Sequence, residues 1–189
     1  MNYLGSDNKK DAKVYILKDG QTMGDKDDFD NENTRSKFTE VPQNGDLYAL
    51  ISATYAEMGG GDNSSKQIVA ESIYNRTNLP DKSYERADGT YKGVINKAYD
   101  VAKPGNRRYG HYKNPKNHIY NSPKEHQAWI ESASVAIKVD RGVCNLGNGV
   151  IFYNSSSSTI YDGNSKMEKI NMPYKMSGIK GMWKLRKKS

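Results

Sequence analysis

The chain has 189 residues, of which 35% are hydrophobic and 27% are charged, and its net charge at pH 7 is +7. This length allows one domain with a hydrophobic core, and no apolar run is long enough to be a transmembrane helix. The single cysteine, Cys144, excludes a disulfide framework and a cysteine-based zinc site.

The charge is distributed unevenly along the chain. Residues 1–46 hold seven Lys/Arg and ten Asp/Glu, a net charge of −3, so residues 47–189 carry +10. This asymmetry favours a polyanionic partner, which could be nucleic acid, an acidic membrane surface or a cell wall. Charge alone does not choose between these three. The lysine-rich segment 166–189 is expected to lie along the surface as a basic tail.

The N-terminal part is predicted to be an arm rather than a domain. Lys13–Lys18 has the composition of a strand, followed by a turn at 19–20, and residues 21–44 are rich in Asn and Asp. We therefore expect an acidic arm over 1–45 with one strand added to a sheet, and a second unit over 46–189. Residues 1–5 do not have the pattern of a signal peptide.

Two helices are predicted between residues 46 and 77. Apolar side chains recur at helical spacing in the first of them, at Leu47, Leu50, Ile51, Thr54, Tyr55 and Met58. Asp46 is its predicted N-cap, and the glycines at 59–61 end it. The second helix begins after residues 62–64 and runs to about Thr77, with Glu71 predicted to be a solvated surface carboxylate.

Glu57 is the strongest candidate for chemistry in these helices. It lies at the edge of the apolar stripe, in the last turn, where the helix meets the glycines. Half-burial and the negative end of the helix dipole both disfavour ionisation. A carboxyl with a raised pKa is what a general acid needs near neutral pH. The alternative is an ordinary glutamate on a helix surface.

Beyond residue 77, the pattern predicts a short helix over 90–98 and a long loop over 99–121. Ser122-Pro123 begins a third long helix that runs to about Val139. Residues 147–153 read as a turn and a strand, and residues 155–163 as a hairpin or loop. The basic and aromatic residues of the predicted long loop could line a groove or be solvated; they are Arg107, Arg108, Tyr109, His111 and Tyr112.

Several short segments, taken together, resemble the bacterial cell wall hydrolase family of spore cortex-lytic enzymes. That family's signature reads approximately YAEARGE, then GQ-x-AVA, then LNR. The matching segments here are Tyr55–Glu57, Gln67–Ala70, Ile73–Arg76, Gly93–Ile95 and Ile151–Asn154. The resemblance covers about residues 46–156. It departs from the family at the second acid, which is Gly61 here with Asp62 beside it, and at Ser155, where the family has proline.

The resemblance implies a lysozyme-like α+β fold with a mainly helical core, a small antiparallel sheet and long loops. It implies that residues 46–189 form a catalytic domain that cleaves peptidoglycan glycan strands at the bacterial cell wall, in the periplasm or outside the cell. Glu57 matches the family's catalytic acid. Gln67, Tyr153 and Asn154 match family positions and, with Tyr109, are candidates for substrate binding. Asn75 and Arg76 match as well, but could serve only to tie their helix to its neighbours.

The number of catalytic carboxylates decides between two reactions. No second acid lies in a recognisable motif, and the loop candidates are Asp62, Asp88, Asp100 and Asp162. A single acid favours lytic transglycosylation, in which the substrate's own 6-hydroxyl captures the oxocarbenium-like centre. The alternative is hydrolysis with a second acid, for which Asp62 is the nearest candidate. Neither reaction requires a cofactor.

Two rival classes remain. The charge and the histidines of residues 110–118 favour a basic nuclease or a nucleic-acid-binding toxin domain, although His111, His118 and His126 match no zinc spacing. A non-catalytic wall-binding module is the other. We expect peptidoglycan as the partner, nucleic acid to be disfavoured, no membrane span and no metal. If the protein is a toxin, an inhibitor or immunity protein is also expected.

Overall fold

The computed structural model describes residues 11–21, 32–80, 86–144, 146, 149–154, 166–172, 176 and 179–186. The first elements are strand β1 (Tyr15–Leu17), the short helix α1 (Glu32–Ser36) and strand β2 (Phe38–Glu40). β1 and β2 pair antiparallel, with Tyr15 opposite Glu40. The strand predicted at 13–18 therefore pairs with a second strand of the same arm, which the sequence did not indicate, and not with another sheet.

The arm packs onto the main core. Ala12 and Val14 are fully buried in that core, and the Tyr48 hydroxyl donates to the Ala12 carbonyl at 3.2 Å. The Val41 N–H donates to the Val14 carbonyl at 2.8 Å. Described residues of the arm thus share one hydrophobic core with residues beyond 45.

Five further helices form the centre of the molecule: α2 (Asp46–Met58), α3 (Asn63–Thr77), α4 (Tyr91–Ala98), α5 (Tyr109–Lys113) and α6 (Pro123–Asp140). The bounds of α2 coincide with the predicted helix. α2 packs against α3, α4, α5 and α6, and ten of its thirteen residues are buried. It is therefore a central helix buried around most of its circumference, whereas the sequence predicted a single buried stripe.

Aromatic side chains join α2 to α6. Trp129 of α6 is fully buried and lies edge-on to the ring of Tyr55 at 5.5 Å. The Tyr48 ring is 5.7 Å from the same indole. The Tyr55 hydroxyl also donates a hydrogen bond to the Glu125 carboxylate at the start of α6. Tyr55, the first residue of the matched motif, thus holds two helices together.

The prediction that Asp46 caps its own helix was wrong. The N-cap of α2 is Gly45, and no side chain caps it. The carboxylate of Asp46 instead accepts from the N–H groups of Tyr91 and Lys92, at 2.9 and 2.8 Å. It satisfies free N–H groups in the first turn of α4, because the start of α4 lies beside the start of α2 in space.

Glu71 was also wrongly predicted, as a solvated carboxylate. It is fully buried in α3 and accepts hydrogen bonds from the Gln67 side chain at 2.7 Å and the Leu146 N–H at 3.1 Å. The predicted outer face of α3 is covered by later parts of the chain. Asn75 donates to the Val150 carbonyl and Arg76 to the Ile151 carbonyl. These two residues tie α3 to the segment before the next strand.

The region predicted as a long loop, 99–121, contains short helices. A 3-10 turn spans Asp100–Ala102, α5 follows, and a second 3-10 turn spans Pro115–Asn117. Val101, Tyr112 and Ile119 of this region are buried in the core. The prediction missed these elements because each is too short to show a helical period.

The remaining strands are β3 (Phe152–Asn154), β4 (Met167–Lys169) and β5 (Gly181–Leu185). They form an antiparallel sheet in the order β3-β5-β4. The expectation that the lysine-rich segment lies along the surface was therefore wrong over 181–185, which form the middle strand. Met182 and Trp183 are buried there. Lys187 and Lys188 lie outside the described residues, as do 155–165.

The molecule combines six helices with small antiparallel sheets in its described part, which confirms the mixed α+β class. None of the helices in these residues is long and apolar enough to cross a membrane.

Candidate active site

Glu57 lies in the last turn of α2, with its side chain partly buried. The chain leaves the helix tightly, since the Gly59 N–H donates to the Tyr55 carbonyl at 2.8 Å. A Cβ at Gly59 would lie 2.7 Å from that carbonyl oxygen, and one at Gly61 would lie 2.7 Å from the Met58 side chain. A larger residue at Gly59 would crowd the backbone, and one at Gly61 would displace the Met58 side chain, so both glycines favour the tight exit that leaves Glu57 at the helix end.

The Glu57 side chain faces a cleft of about 640 Å³. The described residues that line this cleft are Ala56, Glu57, Asp100, Val101, Asn106, Arg107, Arg108 and His111. One wall is the end of α2, and the other is the segment between α4 and α5. The volume falls within the range of small-molecule and sugar-sized sites.

The pKa of the Glu57 carboxyl is raised, chiefly because burial disfavours the charged form. The negative charge of Asp100 adds to this shift. Hydrogen bonds from the Tyr153 hydroxyl and the Val101 N–H, together with the charge of Arg108, oppose it. The carboxyl therefore holds its proton to higher pH than an exposed glutamate would, and two donors are in place for the carboxylate once that proton leaves.

Tyr153 belongs to a buried aromatic group behind Glu57. Its ring is 6.3 Å from that of Tyr99, whose hydroxyl is 2.5 Å from the Ser72 hydroxyl. The Arg76 guanidinium lies over the rings of Tyr99 and Phe152, at 5.2 and 4.3 Å. Burial raises the pKa of Tyr153 well above its usual value. Its hydroxyl therefore keeps its proton near neutral pH and can donate it in a hydrogen bond to the Glu57 carboxylate.

Arg108 forms the opposite wall of the cleft. Its Nε donates to the carbonyl of Ala56 at 3.1 Å, and its Nη1 lies 3.2 Å from His111 Nε2. The His111 ring stacks on that of His118 at 3.9 Å. Burial, the charge of Arg108 and that of His118 lower the pKa of His111. The lowered pKa favours the neutral form of His111, in which an unprotonated Nε2 can accept the hydrogen bond from Arg108.

The carboxylate beside Glu57 is Asp100, one of the four acids that the sequence left open. Asp100 lines the cleft, but its side chain is 73% exposed and pairs with Lys103 at 2.6 Å. Asp62 accepts from the Ser65 N–H at 2.7 Å and caps α3; it is not among the described residues of the cleft wall. Asp88 bonds to Thr90, and Asp162 lies outside the described residues.

The predicted substrate-binding residues are in different places. The Tyr153 hydroxyl hydrogen-bonds to the Glu57 carboxyl, so Tyr153 contacts the candidate acid and not only the space in which a sugar could bind. The Gln67 amide is bonded to Glu71, and Tyr109 begins α5 next to the cleft residue Arg108, with the Lys113 amine 5.9 Å from its ring. Asn154 ends β3 opposite Gly181, and its side chain lies outside the described residues.

The three histidines do not converge. His111 and His118 stack on each other, while His126 lies against the Tyr120 ring at 5.3 Å. Among the described residues, no three His, Cys, Asp or Glu side chains are grouped so that they could hold a metal ion.

Val101 and Asn106 are site residues that sequence reasoning missed. Val101 acts through its backbone N–H, which leaves no trace in the residue type. Asn106 follows Pro104-Gly105, a turn signal beside two arginines, and this was the available indication.

No protein-family model, no curated protein and no solved structure matches this chain. The chemistry of the cleft can be stated from its own groups. It offers one carboxyl with a raised pKa, two donors for its carboxylate form, and two arginines on the facing wall. Such a site can protonate a leaving oxygen and can bind a polar, anionic substrate.

Proposed function

We propose that this protein cleaves the glycan strands of peptidoglycan, with Glu57 as the single general acid and base of a lytic transglycosylation. One observation carries the proposal: the carboxyl of Glu57, whose pKa is raised by burial, lines an open, polar cleft and is hydrogen-bonded by the Tyr153 hydroxyl and the Val101 N–H. The match of residues 55–57 to the cortex-lytic signature supports the same role.

The reaction proceeds in two steps. Glu57 gives its proton to the glycosidic oxygen, the bond from that oxygen to C1 of the muramic acid breaks, and an oxocarbenium-like centre forms. The Glu57 carboxylate then takes the proton of the 6-hydroxyl of the same sugar while that oxygen bonds to C1. The product is a 1,6-anhydro sugar, and Glu57 regains its proton. The 6-hydroxyl is tethered to the reacting sugar, so its effective concentration greatly exceeds that of a free reactant.

The environment of Glu57 suits both of its protonation states. Burial favours the neutral acid before the first step, whereas Tyr153 and Val101 stabilise the carboxylate between the steps. A raised pKa brings the acid and base forms closer in energy at neutral pH than they are in an exposed glutamate, which favours proton transfer in both directions.

Hydrolysis is the second candidate, and the position of Asp100 favours it. The charge of Asp100 acts on Glu57, so the two carboxyls lie in one cleft. Asp100 would act as the base that activates water in a hydrolase with two carboxylates. Its ion pair with Lys103 and its exposure weigh against the role of a positioned base, since the carboxylate is bound to another side chain and open to solvent.

Digestion of purified sacculi tests the function against its rivals. The protein is expected to release soluble muropeptides from sacculi and to leave plasmid DNA intact, with and without EDTA. Plasmid cleavage with intact sacculi would instead support a nuclease, and binding to sacculi without release a wall-binding module.

Mass spectrometry of unreduced muropeptides identifies the acceptor. Transglycosylation gives products lighter by one water than the hydrolytic ones and resistant to borohydride. Reducing ends throughout, together with loss of activity in Asp100→Asn, would establish hydrolysis.

A further inference from the structure

Arg108 is held in a fixed position at the cleft. Its Nε bonds to the carbonyl of Ala56, the residue before Glu57, and its Nη1 to His111. His111 is in turn fixed by its stack on His118. A guanidinium has five N–H donors, and these contacts use two of them. The other three have no hydrogen-bond partner among the described residues.

Among the described residues that line the cleft, no carboxylate forms an ion pair with Arg108. Both of its hydrogen-bond partners are uncharged, since one is a carbonyl and the other a neutral imidazole. Burial raises the pKa of Glu57 and so disfavours its charged form, and Asp100 is bonded to Lys103. Arg107 adds a second, exposed guanidinium to the same wall. The wall that faces the acid therefore carries excess positive charge and free donors.

We propose that Arg108, assisted by Arg107, forms a carboxylate-binding subsite that recognises an acidic substituent on the sugar next to the scissile bond. This rests on the proposed function. A preoriented guanidinium binds a carboxylate through parallel N–H···O bonds, with more energy and stronger geometric selection than an amine offers. Such a subsite makes the enzyme selective for acidic glycans over neutral ones such as chitin oligomers.

Two groups in peptidoglycan supply this carboxylate. One is the lactyl group of a muramic acid that has lost its peptide, and the other is a free carboxylate of the stem peptide. Both present the same planar anion to Arg108. They differ in reach, because the lactyl carboxylate is only a few bonds from the sugar ring.

The experiment measures binding by calorimetry in Glu57→Gln, in which the oligomers stay intact. Four oligomers of equal length are compared. The first is a neutral oligomer of N-acetylglucosamine, and the second is a glycan with free lactyl carboxylates. The third is a glycan that carries stem peptides, and the fourth is the same peptide-bearing glycan with its carboxyls amidated. At least one carboxylate-bearing oligomer is expected to bind about tenfold or more tightly than the neutral one, as for a charged hydrogen bond. Which of the two does so identifies the source.

Arg108→Gln is expected to abolish this preference, and Arg108→Lys to recover only part of it. The amine of lysine cannot bond to the Ala56 carbonyl and to His111 and also offer two parallel N–H donors to a carboxylate. Arg141→Gln removes one charge at the end of α6, away from the described cleft residues, and should keep the full preference. The melting temperature of each variant shows whether it is folded.

Equal affinity for neutral and carboxylate-bearing oligomers would overturn the subsite, and so would a preference that survives in folded Arg108→Gln. The comparison of ligands decides the matter even if every Arg108 variant unfolds. The role of Glu57 is judged separately, by cleavage of sacculi. A Glu57→Gln protein that still cleaves while the carboxylate preference holds would overturn the proposed function and leave the subsite standing.

Discussion

The hydroxyl of Tyr153 in β3 donates a hydrogen bond to the carboxyl of Glu57 at the end of α2. The two residues are far apart in the chain and come from the sheet and the helical core respectively. This hydrogen bond lowers the pKa of Glu57, against the rise caused by burial, and it connects the candidate acid to the sheet.

Glu57→Gln is expected to lower glycan cleavage by at least about 10²-fold, the scale of lost general acid catalysis. An amide has nearly the same shape and cannot give a proton, so the protein should stay folded. The release of muropeptides from sacculi measures the effect. Glu168→Gln, in an exposed residue of β4, is the matched control. Near wild-type activity in Glu57→Gln would remove this residue from the mechanism.

Tyr153→Phe is expected to move the alkaline limb of the pH–rate profile to higher pH. The hydroxyl stabilises the carboxylate of Glu57 and so lowers its pKa; without it, the pKa rises further. Cleavage requires the protonated acid and falls as pH rises through this pKa. The maximal rate should also fall, because the carboxylate between the two steps loses a donor. An alkaline limb that stays in place or moves to lower pH would show that Tyr153 does not tune Glu57.

The stability of Glu57→Gln should depend on pH in a defined direction. Burial raises the folded-state pKa of Glu57 above that of an exposed glutamate, which is the value expected in the unfolded chain. Below the unfolded-state pKa the carboxyl is protonated in both states and costs nothing. As pH rises, the unfolded state loses its proton first, and wild-type stability declines until the folded pKa is passed. Glu57→Gln should therefore gain in free energy of unfolding over wild type between pH 4 and pH 8, as followed by urea titration. A constant difference would contradict the raised pKa.

Lys66 and Glu131 form an ion pair, and replacing one partner should lower the free energy of unfolding by a different amount from replacing the other. Lys66 is 1% exposed, and its amine bonds to Glu131 at 2.5 Å and to the Gly61 carbonyl at 2.8 Å. Glu131→Ala leaves the buried amine without its carboxylate and is expected to cost about 2–3 kcal/mol. Lys66→Met replaces the amine with an apolar group of similar length and should cost less. The reverse order in urea unfolding would show that the amine is solvated.

Changes within residues 180–186 should distinguish the contribution of their charges to binding from the contribution of β5 to the fold. The triple substitution Lys180→Gln, Lys184→Gln and Arg186→Gln changes side chains at the surface and should alter the free energy of unfolding by no more than about 1 kcal/mol. Binding to sacculi should weaken in this variant, and in wild type as salt rises, since exposed charges are screened beyond ~10 Å at 0.1 M. A chain that ends before Gly181 lacks the middle strand and should lose near-UV circular dichroism. Salt-independent binding would refute the electrostatic contribution.

Local signals were enough to predict α2 and the place of Glu57. The bounds of α2 follow from apolar spacing and the three glycines, and both signals lie within a few residues of the helix. Its last turn then fixes where Glu57 lies along the chain. The wall that faces it was only suggested by the basic and aromatic run that includes Arg107 and Arg108.

Contacts between distant segments could not be predicted from such signals. Glu71 is buried because residues near 146 cover α3, and Asp46 caps a helix 45 residues further along. The contact of Tyr153 with Glu57 depends on the sheet. β5 was not predicted, because the lysines of its segment indicated a basic tail along the surface. In each case the partner is set by tertiary packing, which a pattern read over ten residues does not contain.

The position of β5 between β3 and β4 affects the order in which the site assembles. α2 and α3 follow each other closely and can pack through local contacts. β3, in contrast, contacts α3 on one side and pairs on the other with β5, which follows β4 in the chain. Contacts of long sequence separation form late in folding because loop closure costs entropy. An unfinished chain would thus carry Glu57 at its helix end before Tyr153 is held against it. The helical half supplies the proton, and the last strand in the chain, β5, pairs with β3, which carries the Tyr153 hydroxyl that tunes it.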